Sequence, residues 1–217
     1  MSGSEEQQPP NIPDLLGVRE PLSETLARRL FEQRVVALSG PLDDRAATRV
    51  SAELMTLDAE GDDAVTLRVD SGQGSLALAL TLMDVVELLG VPVHALCLGQ
   101  VGEGVVGVVS VCTRRAALPS TRFALREPAA GASGPVHARN VAQWAEMRSD
   151  ERERFCVRLA AAAHKPLEAV REDVVRGRFL SAGDAVTYGL IDEISRPEVN
   201  ASRGPRSDPS IGFRPRH

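Results

Sequence analysis

Residues 93–112 read VHALCLGQVGEGVVGVVSVC, and this stretch decides how the rest of the chain is interpreted. Its apolar first part, 93–98, predicts a buried strand, and the glycine-rich part, 99–104, predicts a tight turn before a second apolar run. A turn from strand to helix is where many hydrolases display a nucleophile. Here the turn carries Glu103 between two glycines. A carboxylate is a poor substitute for a serine hydroxyl or a cysteine thiolate in that role.

Two earlier segments repeat the rhythm of strand, turn and helix. Residues 35–38 predict a short buried strand, and the helix after it is expected to be capped by Asp43 or Asp44. Residues 65–69 predict the next strand, and 75–89 predict the helix that follows it. This alternation predicts an α/β fold of parallel, right-handed βαβ units, with any site at the carboxyl ends of the strands.

The remaining segments add helices and two further strands. The spacing of apolar and capping residues predicts helices at 21–34, 136–163 and 167–176, a short helix starting at a Ser181/Asp184 capping box, and strands at 122–126 and 190–194. The long helix carries one roughly consistent face, made of Val141, Trp144, Arg148, Phe155, Leu159 and Ala162. A helix of this length is expected to pack against a partner.

Length and charge limit the classes of function. The 217 residues suffice for one domain with a substantial core. We expect a flexible tail at 1–18, one domain at 19–197 and a disordered tail at 198–217, because the tails have too few apolar residues to offset the cost of ordering. A formal net charge of −5 gives no electrostatic footprint for nucleic acid. Partners are expected to be proteins or small molecules.

Cysteine and histidine placement gives no sign of a metal or cofactor. Cys97, Cys112 and Cys156 are odd in number and lack CxxC spacing, which argues against disulfides and zinc and favours a reducing cytoplasm. The histidines form no recognisable set; they are His94, His137, His164 and His217. No apolar run is long enough for a membrane span, and the acidic N-terminus does not resemble a signal peptide.

A series of motifs occurs in order and at nearly constant spacing. They are RVVALSG at 34–40, DSGQG at 70–74, CLGQ at 97–100, LP at 118–119, and RFLSA at 178–182 followed by AVTYGLID at 185–192. Together they resemble the ClpP family, the proteolytic subunits of the Clp protease. The resemblance implies a crotonase-like α/β fold, a βαβ superhelix with a protruding strand-and-helix handle. It also implies heptameric rings stacked into a tetradecameric barrel that docks to an AAA+ unfoldase.

The same resemblance implies where a Ser-His-Asp triad would lie, and the triad is missing. Its positions hold Glu103, Arg126 and Gly177. Glu103 cannot attack as an alkoxide, Arg126 is always protonated and cannot accept a proton, and Gly177 has no side chain. Neither Ser71 nor Ser110 has a histidine placed beside it by the sequence pattern. We therefore expect no peptidase activity from this chain alone.

Two arrangements of Glu103 and Arg126 stay open at this point. The resemblance implies that the two positions face each other, so an ion pair between them would fill the former active site. Alternatively, Glu103 caps the positive end of the following helix, while Arg126 reaches solvent or a neighbouring subunit.

The oxyanion-forming turn departs from the family in part. Gly72 and Gly74 keep the turn permissive, as does Gly104 after the nucleophile position, whereas Gln73 replaces a glycine and argues against an intact oxyanion hole. As a phosphate-binding signal the turn is weak, because it lacks the lysine of a P-loop.

The surfaces that contact other subunits also depart from the family. Arg176 is the retained half of an Asp-Arg pair that joins two rings, and Val175 stands in place of the aspartate. Thr66 and Arg68 stand where the unfoldase-docking pocket has aromatic side chains. Ring assembly is still expected, but these changes argue against symmetric stacking and direct unfoldase docking.

Three functions follow from these patterns. The leading interpretation is a catalytically inactive ClpP-like subunit that forms homo- or hetero-oligomers with ClpP-type subunits and meets an AAA+ unfoldase only indirectly. A second is a crotonase-like enzyme that uses Glu103 as a general acid or base on an acyl-CoA thioester, although no adenine- or pantetheine-binding signature is visible. A third is a homo-oligomeric scaffold unrelated to proteolysis.

Overall fold

The structure is a computed structural model that describes residues 22–127 and 141–195. Its helices are α1 Leu22–Glu32, α2 Asp44–Glu60, α3 Leu76–Leu88, α4 Val105–Ser110, α5 Val141–Ala162, α6 Leu167–Arg176 and α7 Ala182–Tyr188. Its strands are β1 Val35–Ser39, β2 Val65–Ser71, β3 Val93–Gly102, β4 Arg114–Ala117, β5 Arg122–Leu125, β6 Arg178–Ser181 and β7 Glu193–Ile194. The predicted segments 1–18 and 198–217 lie outside the described residues.

The central sheet is parallel, as the alternation of strands and helices predicts. Its strand order is β1-β2-β3-β4-β7. β3 pairs with β4 through residues 94–97 and with β5 through residues 100–102. β6 completes the sheet by pairing antiparallel with β5. Because β3 and β5 are parallel neighbours, the residues that follow them, including 103 and 126, are brought to the same edge.

Helix α2 shows how the sequence pattern determines local structure. Its N-cap is Asp43, whose side chain accepts a hydrogen bond of 2.8 Å from the backbone N–H of Ala46. Its buried face consists of Ala47, Val50, Leu54 and Leu57. These positions recur at the spacing of one helix face, so the apolar stripe faces the core. The prediction that Asp43 or Asp44 caps the helix is confirmed at Asp43.

The predicted end of β3 is wrong. We expected the strand to stop at residue 98 and a turn to occupy 99–104, but β3 continues to Gly102. The reason is pairing on both sides: Val101 lies opposite Ser71 of β2 and Phe123 of β5. The turn is therefore confined to Glu103 and Gly104.

The predicted last strand, 190–194, is also wrong in its first part, because β7 contains only Glu193–Ile194. The backbone N–H groups of Leu190 and Ile191 both donate to the carbonyl of Ala185, at 2.9 and 3.5 Å. These apolar residues thus complete the end of α7 and fill the core, where both are buried. The Ser181/Asp184 capping box at the start of α7 is confirmed.

The long helix packs on the domain by its second half only. The predicted residues 136–140 lie outside the described range, and so does any strand of the predicted handle within 128–140. Phe155 and Leu159 are buried, but Trp144, predicted on the same face, is 50% exposed. No helix in the described ranges is long and apolar enough to span a membrane.

Candidate functional site

The turn after β3 has the backbone of a nucleophile elbow. Glu103 adopts a left-handed conformation with φ 53°, which is uncommon for a residue with a side chain. Its backbone N–H donates to the carbonyl of Ala124 on β5 at 3.0 Å, so the neighbouring strand holds the elbow in place. The local geometry that would display a nucleophile is present, although the residue displayed is a carboxylate.

Close contacts explain the two glycines that flank Glu103. A Cβ atom on Gly102 would lie 2.6 Å from the carbonyl oxygen of Gly72. A Cβ atom on Gly104 would lie 2.7 Å from Cβ of Ala79 in α3. Both distances are shorter than real Cβ contacts, so any side chain at either position would displace its surroundings.

Both oxygens of the Glu103 carboxylate are engaged. Oε1 lies 2.8 Å from Nη2 of Arg126, and Oε2 accepts a hydrogen bond of 3.0 Å from the backbone N–H of Gly74. The Glu103 side chain is 9% exposed and that of Arg126 is 43% exposed. The predicted ion pair is therefore confirmed. The alternative, in which Glu103 caps α4, is wrong. Its carboxylate contacts Arg126, which follows β5, and Gly74 of the 70–74 turn.

Gly74 brings the oxyanion-like turn to Glu103. Leu42 donates its N–H to the carbonyl of Gln73 at 2.9 Å, and a Cβ atom on Gly74 would lie 2.9 Å from Cβ of Leu42. Gln73, the residue that argued against an intact hole, is exposed and leaves the Gly74 amide free to face inward. The Gly74 amide thus faces the elbow, and the side chain of Glu103 accepts its hydrogen bond.

Gly177, the third position that the resemblance to ClpP assigns to a triad, lies beside Arg126. It caps α6 in a left-handed conformation with φ 74°, and its N–H donates to the carbonyl of Asp173 at 3.1 Å. A Cβ atom built there would lie 3.8 Å from Cβ of Arg126. The fold therefore brings positions 103, 126 and 177 together, as the resemblance implies, without supplying a base or an orienting carboxylate.

The other candidate nucleophiles are in structural hydrogen bonds. The hydroxyl of Ser71 donates to the carbonyl of Gln73 at 3.2 Å, and that of Ser110 donates to the carbonyl of Gly107 at 2.7 Å. Both serines are buried. Within the described residues no group of histidine, cysteine and acidic side chains could hold a metal ion.

The three cysteines are free and buried, and burial makes them unreactive. Desolvation raises the pKa of Cys112 to about 12 and that of Cys156 to about 11. Burial also raises the pKa of the Cys97 thiol, with the nearby Cys112 adding to the effect. None of them is available as a thiolate near neutral pH.

Sequence reasoning missed an arginine that fastens the segment between α7 and β7 to the sheet. Arg115 on β4 donates its backbone N–H to Oδ2 of Asp192 at 2.7 Å and its Nη1 to the carbonyl of Gly189 at 3.1 Å. Burial opposes ionisation of Asp192, but the hydrogen bonds from Arg115 outweigh it and lower the pKa of the carboxyl. The sequence signal for this contact was Asp192, the last residue of the AVTYGLID motif, because the motif itself contains no basic residue that could pair with this carboxylate.

The predicted oligomer contact, Arg176, is exposed at the end of α6. In this chain it pairs with Glu172 on its own helix at 3.2 Å. Nothing within the described residues tests its role between rings, so that role stays a prediction.

Comparison with known proteins agrees with this geometry. Residues 19–198 match the family described as Clp protease. ATP-dependent Clp protease proteolytic subunit 2 of Thermobifida fusca (strain YX) is 30% identical over 191 residues, covering 85% of this chain and 92% of the relative. ATP-dependent Clp protease proteolytic subunit 1 of Tropheryma whipplei (strain Twist) is 32% identical over 171 residues, covering 76% and 82% respectively.

This family has the crotonase-like α/β fold, and its subunits assemble into oligomeric rings. The matched residues span every strand and helix described above. The family match and the shared identity lead to one conclusion: the chain belongs to the Clp protease family, as a ClpP-like subunit.

Proposed function

We propose that this chain is a catalytically inactive ClpP-like subunit that assembles into, or regulates, a Clp protease barrel. One observation carries the proposal: the carboxylate of Glu103 is held between Nη2 of Arg126 at 2.8 Å and the N–H of Gly74 at 3.0 Å. The nucleophile, the base and the oxyanion donor of an acyl-transfer site are thereby replaced or occupied together.

The nucleophile and the base of peptide hydrolysis are both missing from this site, and the oxyanion donor is already bonded. A carboxylate at position 103 cannot form the acyl-enzyme of a serine protease, and the guanidinium of Arg126 has no lone pair with which to accept a proton. The Gly74 donor is already bonded to a charged acceptor, which a neutral substrate carbonyl displaces poorly. Substrate binding alone would accelerate peptide hydrolysis far less than a complete triad does.

The retained fold supports a role in assembly. The core is complete around β1 to β3, and the elbow at Glu103 keeps its backbone conformation although its chemistry is lost. We propose a hetero-oligomeric ring with active ClpP-type subunits, within a heptameric and stacked arrangement in the cytoplasm. An AAA+ unfoldase would then act through the active partners.

The test uses the full chain, alone and mixed with an active ClpP-family subunit. We expect no labelling of this chain by a fluorophosphonate probe, no hydrolysis of a fluorogenic peptide by the chain alone, and a mixed particle in native mass spectrometry. Labelling of this chain would overturn the claim of inactivity. A particle made only of this chain would replace the mixed barrel by a homo-oligomeric scaffold.

The acyl-CoA alternative receives no support from the site. A general acid or base needs an oxygen that can exchange a proton with substrate, and both oxygens of Glu103 are committed to Arg126 and Gly74. This alternative would be restored if a CoA thioester raised the melting temperature of the chain and a nucleotide of similar size without a thioester did not.

A further inference from the structure

Helices α5 and α6 enclose a cavity of about 360 Å³ between them. Four of its lining residues come from one face of α5 and two come from α6, one turn apart. They are Ser149, Arg152, Glu153, Cys156, Arg171 and Val175, and they define the α5–α6 cavity. A volume of this size suits a small molecule.

The inner part of the α5–α6 cavity is apolar and uncharged. Cys156 is 1% exposed, and burial raises the pKa of its thiol to about 11, so the side chain is neutral near pH 7. A protonated, buried thiol behaves as a small hydrophobic group. Val175, on the opposite helix, is exposed to solvent. A ligand with a hydrocarbon part would therefore remove apolar surface from water here.

The two arginines of the α5–α6 cavity differ in how fully they are bonded. Arg171 donates Nε to Oε2 of Glu153 at 3.0 Å, and its two Nη groups contact Glu153 and Glu168. Arg152 has a single partner within residues 22–127 and 141–195, Oε2 of Glu127 at 3.4 Å. That distance is longer than an ordinary N–H···O hydrogen bond. A guanidinium has five N–H donors, so most of those of Arg152 are open to a ligand.

We propose that the α5–α6 cavity binds a small monocarboxylate with an unbranched apolar tail. Arg152 receives the carboxylate, because it is the lining cation with open donors, and Cys156 and Val175 contact the tail. Ser149 precedes Arg152 by three residues, which places its hydroxyl donor on the same helix face.

The charges around the α5–α6 cavity limit the ligand to one negative group. Glu127 and Glu153 lie close to Arg152, and they would repel a second anionic group of a dicarboxylate or a phosphate. An ammonium group would instead meet the open donors of Arg152. Glu103 is outside the lining, so the inference does not depend on the loss of catalysis.

The test measures the dissociation constants of octanoate and 1-octanol for the full-length chain by ligand-observed NMR titration. The two probes share the tail and differ in the charge of the head group. We expect octanoate to bind about fivefold more tightly, the size of effect that one ion pair at a partly exposed arginine supplies. Acetate, which has the head group without the tail, should show no saturable binding at the same concentrations. Equal affinities of octanoate and 1-octanol, or no saturable binding of octanoate, would overturn the proposal.

Matched variants assign the binding to the α5–α6 cavity. Arg152→Gln should abolish the preference for octanoate, whereas Arg154→Gln, at an exposed arginine of the same helix outside the lining, should preserve it. Val175→Gln should weaken both probes equally, and its exposure means that the core is not disturbed. A preference that survives Arg152→Gln, or one that is lost in Arg154→Gln, would contradict this site. The tests of catalytic inactivity would be unaffected by either result.

Discussion

Gly74 donates its backbone N–H to Oε2 of Glu103 at 3.0 Å, so the turn that the resemblance to ClpP assigns to an oxyanion hole is bonded to a side chain of the protein itself. The second oxygen of that carboxylate binds Arg126 at 2.8 Å. Two segments distant in sequence, the 70–74 turn and the residue after β5, are therefore joined through one carboxylate. This arrangement makes Glu103 a structural contact between the two segments.

Removal of the carboxylate should destabilise the domain. In Glu103→Gln the amide cannot replace both charge-assisted contacts, and we expect the free energy of unfolding to fall by about 2 kcal/mol, because the contact is buried on the Glu103 side but Arg126 is partly solvated. Urea denaturation measures the change. Glu53→Gln breaks the exposed Arg49–Glu53 pair as a matched control, with an expected loss of only a few tenths of a kcal/mol. Equal losses in the two variants would contradict the structural role.

A small carboxylate added in solution should restore stability to a variant that lacks the side chain of Glu103. Glu103→Gly suits the positive φ of this position and leaves Arg126 and the Gly74 amide facing an empty carboxylate site. We expect formate or acetate to raise the melting temperature of this variant in a saturable manner, as a ligand that binds the folded state does. Chloride at equal ionic strength is the salt control.

The double variant Glu103→Gly with Arg126→Ala tests the origin of that rescue. Without the guanidinium the added anion has lost its charged partner, so the stabilisation should disappear. Rescue of the same size in the double variant would show that formate acts elsewhere on the chain.

Gly74 should not tolerate a methyl group. A Cβ atom there would lie 2.9 Å from Cβ of Leu42 and 3.1 Å from Cγ2 of Val105. We expect Gly74→Ala to lower the free energy of unfolding by about 1–3 kcal/mol, the usual cost of overpacking. Gly183→Ala in α7 is the control, because its Cβ would meet only Oγ of Ser181 at 3.9 Å. A neutral effect at both positions would show that the turn yields to the extra atom.

Asp192 should make stability depend on pH in the acid range. Its pKa is lowered in the folded state, so its contribution is present above the pKa of the unfolded chain, about 3.9, and is lost as pH falls through the lower folded value. Asp192→Asn should therefore cost about 1 kcal/mol at pH 7, a figure reduced for solvent exposure. Urea titrations of the variant and the unmodified chain should converge at strongly acid pH.

The exposed Asp62→Asn is the control for Asp192, with no expected cost at either pH. A constant difference between Asp192→Asn and the unmodified chain at all pH values would indicate a loss of packing rather than of charge.

Replacement of one residue should not restore hydrolysis. Glu103→Ser supplies a hydroxyl on the existing elbow and frees the Gly74 amide, but Arg126 still cannot accept its proton, so we expect no fluorophosphonate labelling. The triple variant with Arg126→His and Gly177→Asp supplies all three groups at positions that the fold already brings together. Labelling is expected in the triple variant only, in a particle assembled with active subunits. Labelling of Glu103→Ser alone would show that another base serves the site.

The sequence was sufficient for the parts of the fold that depend on local pattern. The cap at Asp43 and the apolar run 35–38 predicted the start of α2 and the strand β1, because capping and burial follow from residue type and spacing within a short segment. The Glu103–Arg126 pair came from the resemblance to ClpP, since composition and spacing do not bring positions 103 and 126 together. Its confirmation rests on β3 and β5 being parallel neighbours.

The parts that could not be predicted depend on register between distant segments. The extension of β3 to Gly102 requires Val101 to meet Ser71, and the Gly74 contact requires two strand ends to meet at hydrogen-bond distance. Arg115 gave no periodic signal, because its role is to bond to Asp192 on a segment much later in the chain. Such pairings are decided by tertiary packing and not by local preference.

Strand β3 changes its partner along its length, and this affects how the protein can be dissected. Residues 94–97 pair with β4, residues 100–102 pair with β5, and Gly99 between the two runs has a left-handed φ of 50°. Only the second run leads into the elbow at Glu103, whose backbone N–H is held by Ala124 of β5. Substitutions in the first run and substitutions at the elbow therefore address separate contacts, and each set can serve as an internal reference for the other.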